Sequence, residues 1–382
     1  MPRTLLVDTN RSALPIYEAL VNRGHQVTVV GRNPRDYLAS ASARYLQVDY
    51  ADVEALDRLI AEERFDWVVP GCNDRSYLSC AEVNARHGYP GIDPADVFDT
   101  INRKDRFRAL AIQLGIPVPR VYPPGDSEVE WPLIVKPVDA FSGRGVTRLD
   151  QGDSSILAAA VAEARAASPS RSAIVEQFVE GQLYSHSAFL EDGRVATDFI
   201  VVEYGTANPF AVDTSWVTAS FPTALLGRIR DDVERLAAAL GLRSGLMHTQ
   251  FIAHGDHYWF IEITRRCPGD LYALLIEFTM GFPYGHAYAA PFIGERLPSH
   301  TPSEHRAVLR HTVSGLSAGV FSGLRFEHHT AIRLFVPLAA AGDRLGVGPA
   351  GRVGILFLDA DGAVGLEALA QRTLRRELYT IL

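Results

Sequence analysis

Two apolar, strand-like segments on either side of a short polar turn constrain this chain more than any other feature. Residues 248–252 and 258–264 are rich in aromatic and β-branched side chains, and a Gly-Asp pair between them is typical of a hairpin turn. A buried strand does not carry the side chains of Gln250 or Glu262 unless other groups pair with them. The segment therefore predicts a β-hairpin whose polar side chains have partners.

The spacing of the polar residues indicates which face of the hairpin they occupy. Alternate residues of a strand point to the same side, so Gln250, Glu262 and Thr264 share one face if the hairpin register allows it. Oxygen ligands beside a guanidinium group suit Mg²⁺ and phosphate, and Arg266 follows closely. A core hairpin that holds one ion pair, from Glu262 to Arg265 or Arg266, fits the same residues. The rest of the chain must decide between these two interpretations.

Composition excludes several classes of function. The chain has 382 residues, enough for two or three packed subdomains, and its net charge of −8 gives a nucleic-acid role no electrostatic support. No apolar run reaches the length of a membrane span, and the first residues begin a strand without a signal-peptide pattern. Three cysteines cannot form a disulfide framework and fit a reducing compartment. We therefore expect a cytoplasmic protein that binds neither nucleic acid nor membrane.

Strands and helices alternate at the start of the chain. Strands are predicted at residues 4–9, 26–30 and 67–71, with helices at 12–24 and 52–63. This order indicates a doubly wound parallel sheet. The turn after the first strand lacks the glycine fingerprint of a dinucleotide site, so we expect the sheet to act as a platform or to hold a different ligand.

Such a sheet binds its ligand at the carboxyl ends of its strands. Asn10 follows the first predicted strand, and Asn73 and Asp74 follow the third. These residues are candidates for ligand contacts, although Asn and Asp are also favoured in ordinary turns.

The middle of the chain contains a glycine-rich turn with a lysine on each side of a linker. Lys104 lies in a predicted helix at residues 94–114, and Lys136 lies in a predicted strand at 131–138. The strand leads into residues 141–146, where two glycines leave backbone N–H groups free to bind an anion. The turn is not a P-loop, because no Gly-Lys-Ser/Thr opens a helix. A flexible turn and a loop that covers phosphates both fit these residues.

Further strands complete the pattern. A strand at residues 173–181 ends in an acidic, glycine-terminated kink, and a mobile loop is predicted at 205–222. Strands at residues 308–313, 332–336 and 353–358 are predicted to form a C-terminal sheet.

The order of these segments resembles the ATP-grasp superfamily, in its carboxylate-amine ligase and biotin-carboxylase-like branch. The shared succession is a doubly wound domain, a helix lysine, a strand lysine with a glycine loop, an acidic hinge strand, and a Glu-containing hairpin that ends in arginine. The resemblance covers nearly the whole chain. It implies an α/β ATP-grasp fold with an N-terminal doubly wound parallel domain at residues 1–100, a linker helix and small α+β lid domain at 101–182, and a mixed-sheet C-terminal catalytic domain at 183–382.

The resemblance implies a nucleotide site built from two parts of the chain. Lys104 and Lys136 would bind the phosphates of ATP, and Glu176 would take the adenine amino group. The other nucleotide contacts that it implies are Ser142, Gly143, Arg144, Gly145, Gln177, Phe178, Val179 and Glu180.

The resemblance also implies metal ligands and catalytic groups. Gln250 and Glu262 would bind the metal, and Arg266 and Lys136 would stabilise the transferred phosphoryl group. The candidate substrate contacts are His248, Arg266, Asp270, Asn73 and Asp74.

Three positions depart from the family pattern. Gln250 stands where the family usually has Glu, and Thr264 stands where it has Asn. Leu183 replaces an acidic residue that usually contacts the ribose, which leaves Glu180 as the substitute. Fewer anionic ligands should weaken metal binding and put the number of bound ions in question.

The function that the resemblance implies is ATP-dependent ligation. A small-molecule carboxylate, with amino acids foremost, would be joined to an amine through an acyl phosphate, using ATP and Mg²⁺, with Mn²⁺ as a substitute. A homodimer is expected. Two alternatives stay open. One is a bicarbonate-activating carboxylase-type enzyme. The other is a non-catalytic nucleotide-binding module, which the residues at positions 250 and 264 motivate.

Overall fold

A computed structural model describes residues 1–123, 128–140, 143–299 and 305–382 of the chain. The described residues form one parallel sheet, one small antiparallel sheet, one large antiparallel sheet and two short two-stranded ribbons. Among them, no helix has both the length and the apolar character needed to cross a membrane.

The N-terminal sheet is parallel, as the alternation of strands and helices predicts. Its strands are β1 (Arg3–Val7), β2 (Gln26–Gly31), β3 (Tyr45–Gln47) and β4 (Trp67–Pro70). Its helices are α1 (Leu14–Asn22), α2 (Tyr37–Ala41), α3 (Val53–Glu63) and α4 (Asp74–His87), with a 3₁₀ turn at Arg11–Ala13. The strand order is β3-β2-β1-β4, and β3 is a strand that the sequence pattern did not reveal.

Two helices, rather than the predicted single one, follow the N-terminal sheet. They are α5 (Ala95–Asn102) and α6 (Lys104–Gln113). The helical conformation is interrupted at Arg103, whose backbone is extended with φ −80° and ψ 116°. The break makes Lys104 the first residue of α6, and its backbone N–H donates to the carbonyl oxygen of Val138 over 3.1 Å. Lys104 is therefore held against Val138, at the end of the predicted strand that carries Lys136, rather than left on a solvated helix face.

The lid sheet is small and antiparallel. Its strands are β5 (Val121–Tyr122), β6 (Leu133–Pro137), β7 (Thr147–Leu149) and β8 (Ala173–Gln177), in the order β5-β8-β6-β7. Helix α7 (Ser154–Ala167) packs on this sheet through Ala160 and Ala164. Every residue of β6 is buried, including Lys136, so this lysine must have partners inside the protein.

The remaining strands form the large sheet and two ribbons. They are β9 (Gln182–Glu191), β10 (Arg194–Tyr204), β11 (Thr214–Val217), β12 (Gly245–His254), β13 (His257–Thr264), β14 (Val308–Ser314), β15 (Gly319–Val320), β16 (Leu324–Phe326), β17 (Ile332–Pro337), β18 (Arg344–Leu345), β19 (Arg352–Asp359) and β20 (Tyr379–Ile381). The helices of this part are α8 (Thr223–Leu240), α9 (Tyr272–Met280), α10 (Tyr284–Ala289) and α11 (Gly362–Leu374), with 3₁₀ turns at Ala290–Ile293 and Gly348–Gly351.

The large sheet has eight strands in the order β13-β12-β9-β10-β11-β14-β19-β17. Each neighbouring pair is antiparallel, so the sheet differs in this respect from the mixed sheet expected of the C-terminal domain. Strand β11 also lies inside the predicted loop at residues 205–222. The α/β fold class and its parallel N-terminal sheet are otherwise confirmed.

A shared apolar core fixes the N-terminal sheet against the large sheet. Leu5 of β1, Phe189 of β9 and Tyr272 of α9 belong to one buried cluster. Helices α1 and α10 touch so closely that a Cβ on Gly285 would lie 2.4 Å from the carbonyl oxygen of Pro15. The strand ends of the N-terminal sheet are thereby held at a constant place relative to the polar hairpin β12–β13.

Candidate functional site

A cavity of about 1040 Å³ is lined by residues of the lid sheet and the large sheet, and by N-terminal residues that follow strands β1 and β4. The predicted site residues on its wall are Asn73, Asp74, Lys104, Lys136, Gly143, Gln177, Phe178, Val179, Glu180, His248, Gln250, Glu262, Arg266 and Asp270. Arg144 lines a separate surface recess beside residues 166–171, and Gly145 packs against Pro137 and Ala167. Ser142 lies outside the described residues. The structure thus brings together most of the predicted residues from separate parts of the chain.

The hairpin has the register that a polar face requires. Gln250 of β12 pairs directly with Glu262 of β13, and His248 pairs with Thr264. All four line the cavity, so the predicted common face is confirmed. The turn falls at residues 255–256, as the Gly-Asp pair predicts.

The two lysines on the cavity wall are the only lysines in the sequence. They stand at positions 104 and 136, in a chain with 37 lysine and arginine residues together. Both are buried. A compact ammonium and a planar guanidinium are not interchangeable where several donors converge on one anion. The location of both lysines of the chain on one cavity wall is a signal that the sequence analysis missed.

Lys104 lies close to the polar face of the hairpin. Its Nζ is 3.9 Å from Oε1 of Glu262 and donates to the carbonyl oxygen of Ala140 over 3.3 Å. The Lys104 side chain is 10% exposed and that of Glu262 is 33% exposed. An anion that enters here meets an ammonium and a partly open carboxylate side by side.

Lys136 is held by a buried ionic cluster. Its Nζ lies 2.6 Å from Oε2 of Glu176, and Nε of Arg108 donates to Oε1 of the same carboxylate over 2.5 Å. Burial alone would raise the pKa of Glu176, but Arg108 and Lys136 outweigh it and lower the pKa to about 2. Burial lowers the pKa of Lys136, and Glu176 opposes that shift.

The cluster changes the role of Glu176. Its carboxylate is fully buried between two cations and does not reach the cavity wall. This arrangement does not fit the predicted contact with an adenine amino group, because both oxygens already face cationic partners. Gln177, Phe178 and Val179, the next residues along the chain, do lie on the cavity wall.

Arg266 links the hairpin to the N-terminal sheet. Its Nε donates to Oδ1 of Asp74 over 3.0 Å, and Oγ1 of Thr264 donates to the same oxygen over 3.3 Å. Asp74 begins α4, whose N-cap is Asn73. Burial lowers the pKa of Arg266, but Asp74 and Glu262 raise it further, so the guanidinium stays charged.

Other predicted substrate contacts already have partners. Asn73 donates to Oδ2 of Asp8 over 3.0 Å, and Oδ1 of Asp270 lies 2.8 Å from Nη1 of Arg352. Nδ1 of His248 lies 2.9 Å from the hydroxyl of Ser187. Burial, followed by Arg266, lowers the pKa of His248 to about 3, so its imidazole is neutral near pH 7.

Five charged residues on the wall were missed by the sequence analysis: Arg75 of α4, Arg148 of β7, Glu203 of β10, Arg310 of β14 and Arg352 of β19. Glu203 accepts a hydrogen bond of 2.7 Å from Nε2 of Gln250, and burial raises its pKa while hydrogen bonds from Ser185 and Gln250 lower it. Arg310 donates through Nη2 to the hydroxyl of Ser215 over 2.8 Å. A charged residue inside a buried strand pattern was an available signal, since the same argument singled out Glu262.

The hairpin face offers oxygen ligands that suit Mg²⁺. Gln250 and Glu262 are direct cross-strand neighbours, and Mg²⁺ is typically held by one or two protein oxygens, with phosphates and water as its other ligands. Over the described part of the chain, no group of three or more His, Cys, Asp or Glu residues could hold a metal by itself. These residues therefore fit an ion that arrives with a polyphosphate, and they do not fit a resident, all-protein metal site.

Comparison with known proteins identifies the domain that contains the site. Residues 129–273 match the family model of the ATP-grasp domain. A formate-dependent phosphoribosylglycinamide formyltransferase from Rhodococcus jostii is 28% identical over 277 residues, which cover 69% of this chain and 68% of that protein. The carbamoyl phosphate synthase large chain from Rubrobacter xylanophilus is 25% identical over 72% of this chain but only 27% of its own length.

Solved structures share the fold across the whole chain. The L-amino acid ligase from Bacillus licheniformis superimposes with a TM-score of 0.79 at 18% identity, covering 100% of this chain and 98% of that one. A phosphoribosylglycinamide synthetase from Anaerococcus prevotii gives a TM-score of 0.78 at 16% identity, covering 100% and 99%. At these identities the likeness concerns the fold alone.

Proposed function

We propose that the chain, whose residues 129–273 match the model of the ATP-grasp domain, is an ATP-grasp ligase that joins a small-molecule carboxylate to an amine at the expense of ATP. The observation that supports this most is the convergence on one cavity of both lysines, the Gln250–Glu262 pair and Arg266. These groups suit a polyphosphate with its metal ion. We place amino acids foremost among the substrates.

The nucleotide is proposed to lie between the lid sheet and the large sheet. Lys104 and Lys136 bind its phosphates, and Gly143, in the glycine-rich turn between β6 and β7, lies on the same cavity wall. Gln177, Phe178, Val179 and Glu180 lie along the wall where the base and ribose fit. Glu176 holds Lys136 in place from behind. When bound, Mg²⁺ would be held by Gln250 and Glu262 and would supply positive charge to the phosphate oxygens.

The reaction is proposed to proceed in two displacements. A substrate carboxylate oxygen attacks the γ-phosphorus of ATP, and the bond to the β,γ-bridging oxygen breaks to release ADP. The amine then attacks the carbonyl carbon of the acyl phosphate, loses a proton to solvent and expels inorganic phosphate. Lys136 and Arg266 face the oxygens on which negative charge develops, so positioning and electrostatics carry the catalysis.

Arginines outside the hairpin are available for the substrate carboxylate. Arg310 and Arg352 reach the cavity wall from β14 and β19, on the side where Asp270 lies. Arg352 is paired with Asp270, so an incoming carboxylate and amine could share these two opposite charges. We propose this end of the cavity as the substrate site, with His248 as a neutral hydrogen-bonding group beside it.

The reaction class is tested by phosphate release from ATP with a panel of amino acids. Release is expected to require a carboxylate and an amine together, and mass spectrometry should find the amide with ADP. Release that depends on bicarbonate alone would favour the carboxylase-type alternative. Nucleotide binding without turnover across the panel would contradict a ligase and favour the non-catalytic module.

The phosphate role of the lysines is tested by exchanging each of them for arginine. Lys104→Arg and Lys136→Arg keep the charge but change the shape of the donor group. Loss of a hydrogen bond to a charged group costs about 1.5–3 kcal/mol, so ADP should bind roughly 10-fold or more weakly by calorimetry. Arg58→Lys, at an exposed position on α3, is the matched control and should leave the affinity unchanged. Wild-type affinity in both lysine variants would contradict the proposed phosphate contacts.

The domain division at residues 1–100, 101–182 and 183–382 is kept as a proposal. It is supported by the way each of the three main sheets falls within one of these ranges, apart from Gln182, the first residue of β9 in the large sheet. The homodimer also stays a prediction, which the particle mass in solution would test.

A further inference from the structure

Gln250 has a carboxylate partner on the side opposite Glu262. Its Nε2 donates to Oε2 of Glu203 over 2.7 Å, and Glu203 is 3% exposed. In the large sheet the strands run β13-β12-β9-β10, and Gln250 pairs with Glu262 on one side and with Ser185 on the other. Glu203 lies beyond Ser185, on β10. Gln250 therefore lies between two carboxylates that come from non-adjacent strands.

The hydrogen bond to Glu203 fixes which end of the amide faces the metal position. Nε2 of Gln250 donates to Oε2 of Glu203, so the NH₂ group of the amide is the end that faces Glu203. The amide is planar, and its carbonyl oxygen must then point away from Glu203, toward the Glu262 side of the row. Without Glu203 the amide would have no such preference, and its NH₂ group could equally face a cation, which it cannot ligate.

We propose that Glu203 is a positioning residue for the metal ion, because it orients the carbonyl oxygen of Gln250 toward the ion. The inference rests on the proposed function. The Gln250 side chain has only one oxygen that can bind a metal, so its contribution to the site depends on that orientation. Groups that orient a metal ligand typically change metal affinity by about 10–100-fold when removed.

The proposal makes a prediction that depends on the residue at position 250. Glu203→Gln places at position 203 an amide that can turn either its oxygen or its NH₂ group to Gln250, so the orientation is lost and metal binding should weaken by about 10-fold or more when Gln250 is present. When position 250 carries glutamate, both oxygens of that side chain are equivalent ligands and need no orientation. In the Gln250→Glu background, Glu203→Gln should therefore cause no loss of affinity.

The experiment is a titration of the protein–ADP complex with Mn²⁺, followed by electron paramagnetic resonance of the free ion. Four proteins are compared: wild type, Glu203→Gln, Gln250→Glu and the double variant. ADP binding in EDTA and thermal unfolding are measured on each, and both should be unaffected by Glu203→Gln. Glu203→Asp, which keeps the charge but withdraws the acceptor from Gln250, is the second variant and should also weaken Mn²⁺ binding.

The outcomes separate this inference from the function on which it rests. A loss with Glu203→Gln in the Gln250 background alone supports the orientation. An equal loss in both backgrounds, or wild-type Mn²⁺ affinity in Glu203→Gln and Glu203→Asp, overturns the inference and leaves the proposed function intact. A wild-type protein that binds neither ADP in EDTA nor Mn²⁺ with ADP overturns the proposed function and this inference together.

Discussion

Replacing Arg266 by alanine is expected to lower kcat by about 10²–10³-fold, which is the usual cost of removing one group that stabilises developing charge. Arg266 is anchored by Asp74 at 3.0 Å, and its side chain is 21% exposed on the cavity wall. We propose that this fixed, charged donor acts on the phosphoryl group as it is transferred. ADP affinity should change little, because the ground-state phosphates are assigned to Lys104 and Lys136.

The control for Arg266→Ala is Arg58→Ala, which removes an exposed arginine on helix α3 of the N-terminal domain. The control should keep wild-type turnover. Steady-state phosphate release measures kcat, and calorimetry with ADP measures the nucleotide site separately. Wild-type turnover in Arg266→Ala would remove this residue from the mechanism. Lost ADP binding would instead show that Arg266 supports the nucleotide site.

Replacing Glu176 by alanine is expected to lower the free energy of unfolding by about 3–5 kcal/mol, the cost of leaving buried charges without their partner. Lys136 and Arg108 would both lose the carboxylate that neutralises them, at side-chain exposures of 7% and 1%. ADP binding should weaken as well, because Lys136 would no longer be held at the phosphate position. Urea denaturation at pH 7 measures the loss.

The effect of Glu176→Ala should also depend on pH. The folded-state pKa of Glu176 is lowered to about 2 from an ordinary value of 4.5, so its contribution is fully present above pH 4.5 and is lost as the pH falls toward 2. The difference between wild type and variant should therefore shrink in acid. Glu130→Ala, which breaks an exposed pair with Arg120, is the control and should cost about 0–1 kcal/mol. A loss no larger than that of the control would contradict the ionic cluster.

The hairpin could be predicted from the sequence because its information is local. Side chains in a strand alternate with period two, and a Gly-Asp turn sets the pairing, so the common face of Gln250, Glu262 and Thr264 follows from spacing. The parallel N-terminal sheet was also predictable from local information, because strand and helix patterns alternate along this part of the chain. The order of motifs then placed Lys104 and Lys136 at one site, which spacing alone cannot do.

The features that were missed depend on contacts across the fold. Glu203 reaches Gln250 across an intervening strand, 47 positions away in the chain. Arg108, on helix α6, forms an ion pair with Glu176 of strand β8. No local sequence pattern distinguishes a carboxylate that is buried in this way from one that faces a ligand. The break at Arg103 is likewise set by the contact of Lys104 with Val138 rather than by helix propensity. The local sequence was therefore enough to predict which hairpin residues share a face. Tertiary packing decided which charged side chains reach the cavity.

The convergence of both lysines on one polyphosphate is tested most directly by NMR of protein labelled with ¹³C at lysine Cε. The chain has two lysines, so two signals are expected, and Lys104→Arg and Lys136→Arg assign them. Both signals should shift when ADP and Mg²⁺ are added, and both should shift less with AMP, which lacks the β-phosphate. If ADP binds but leaves either lysine signal unmoved, the two lysines do not share a phosphate site. That result would contradict the active site proposed for this protein.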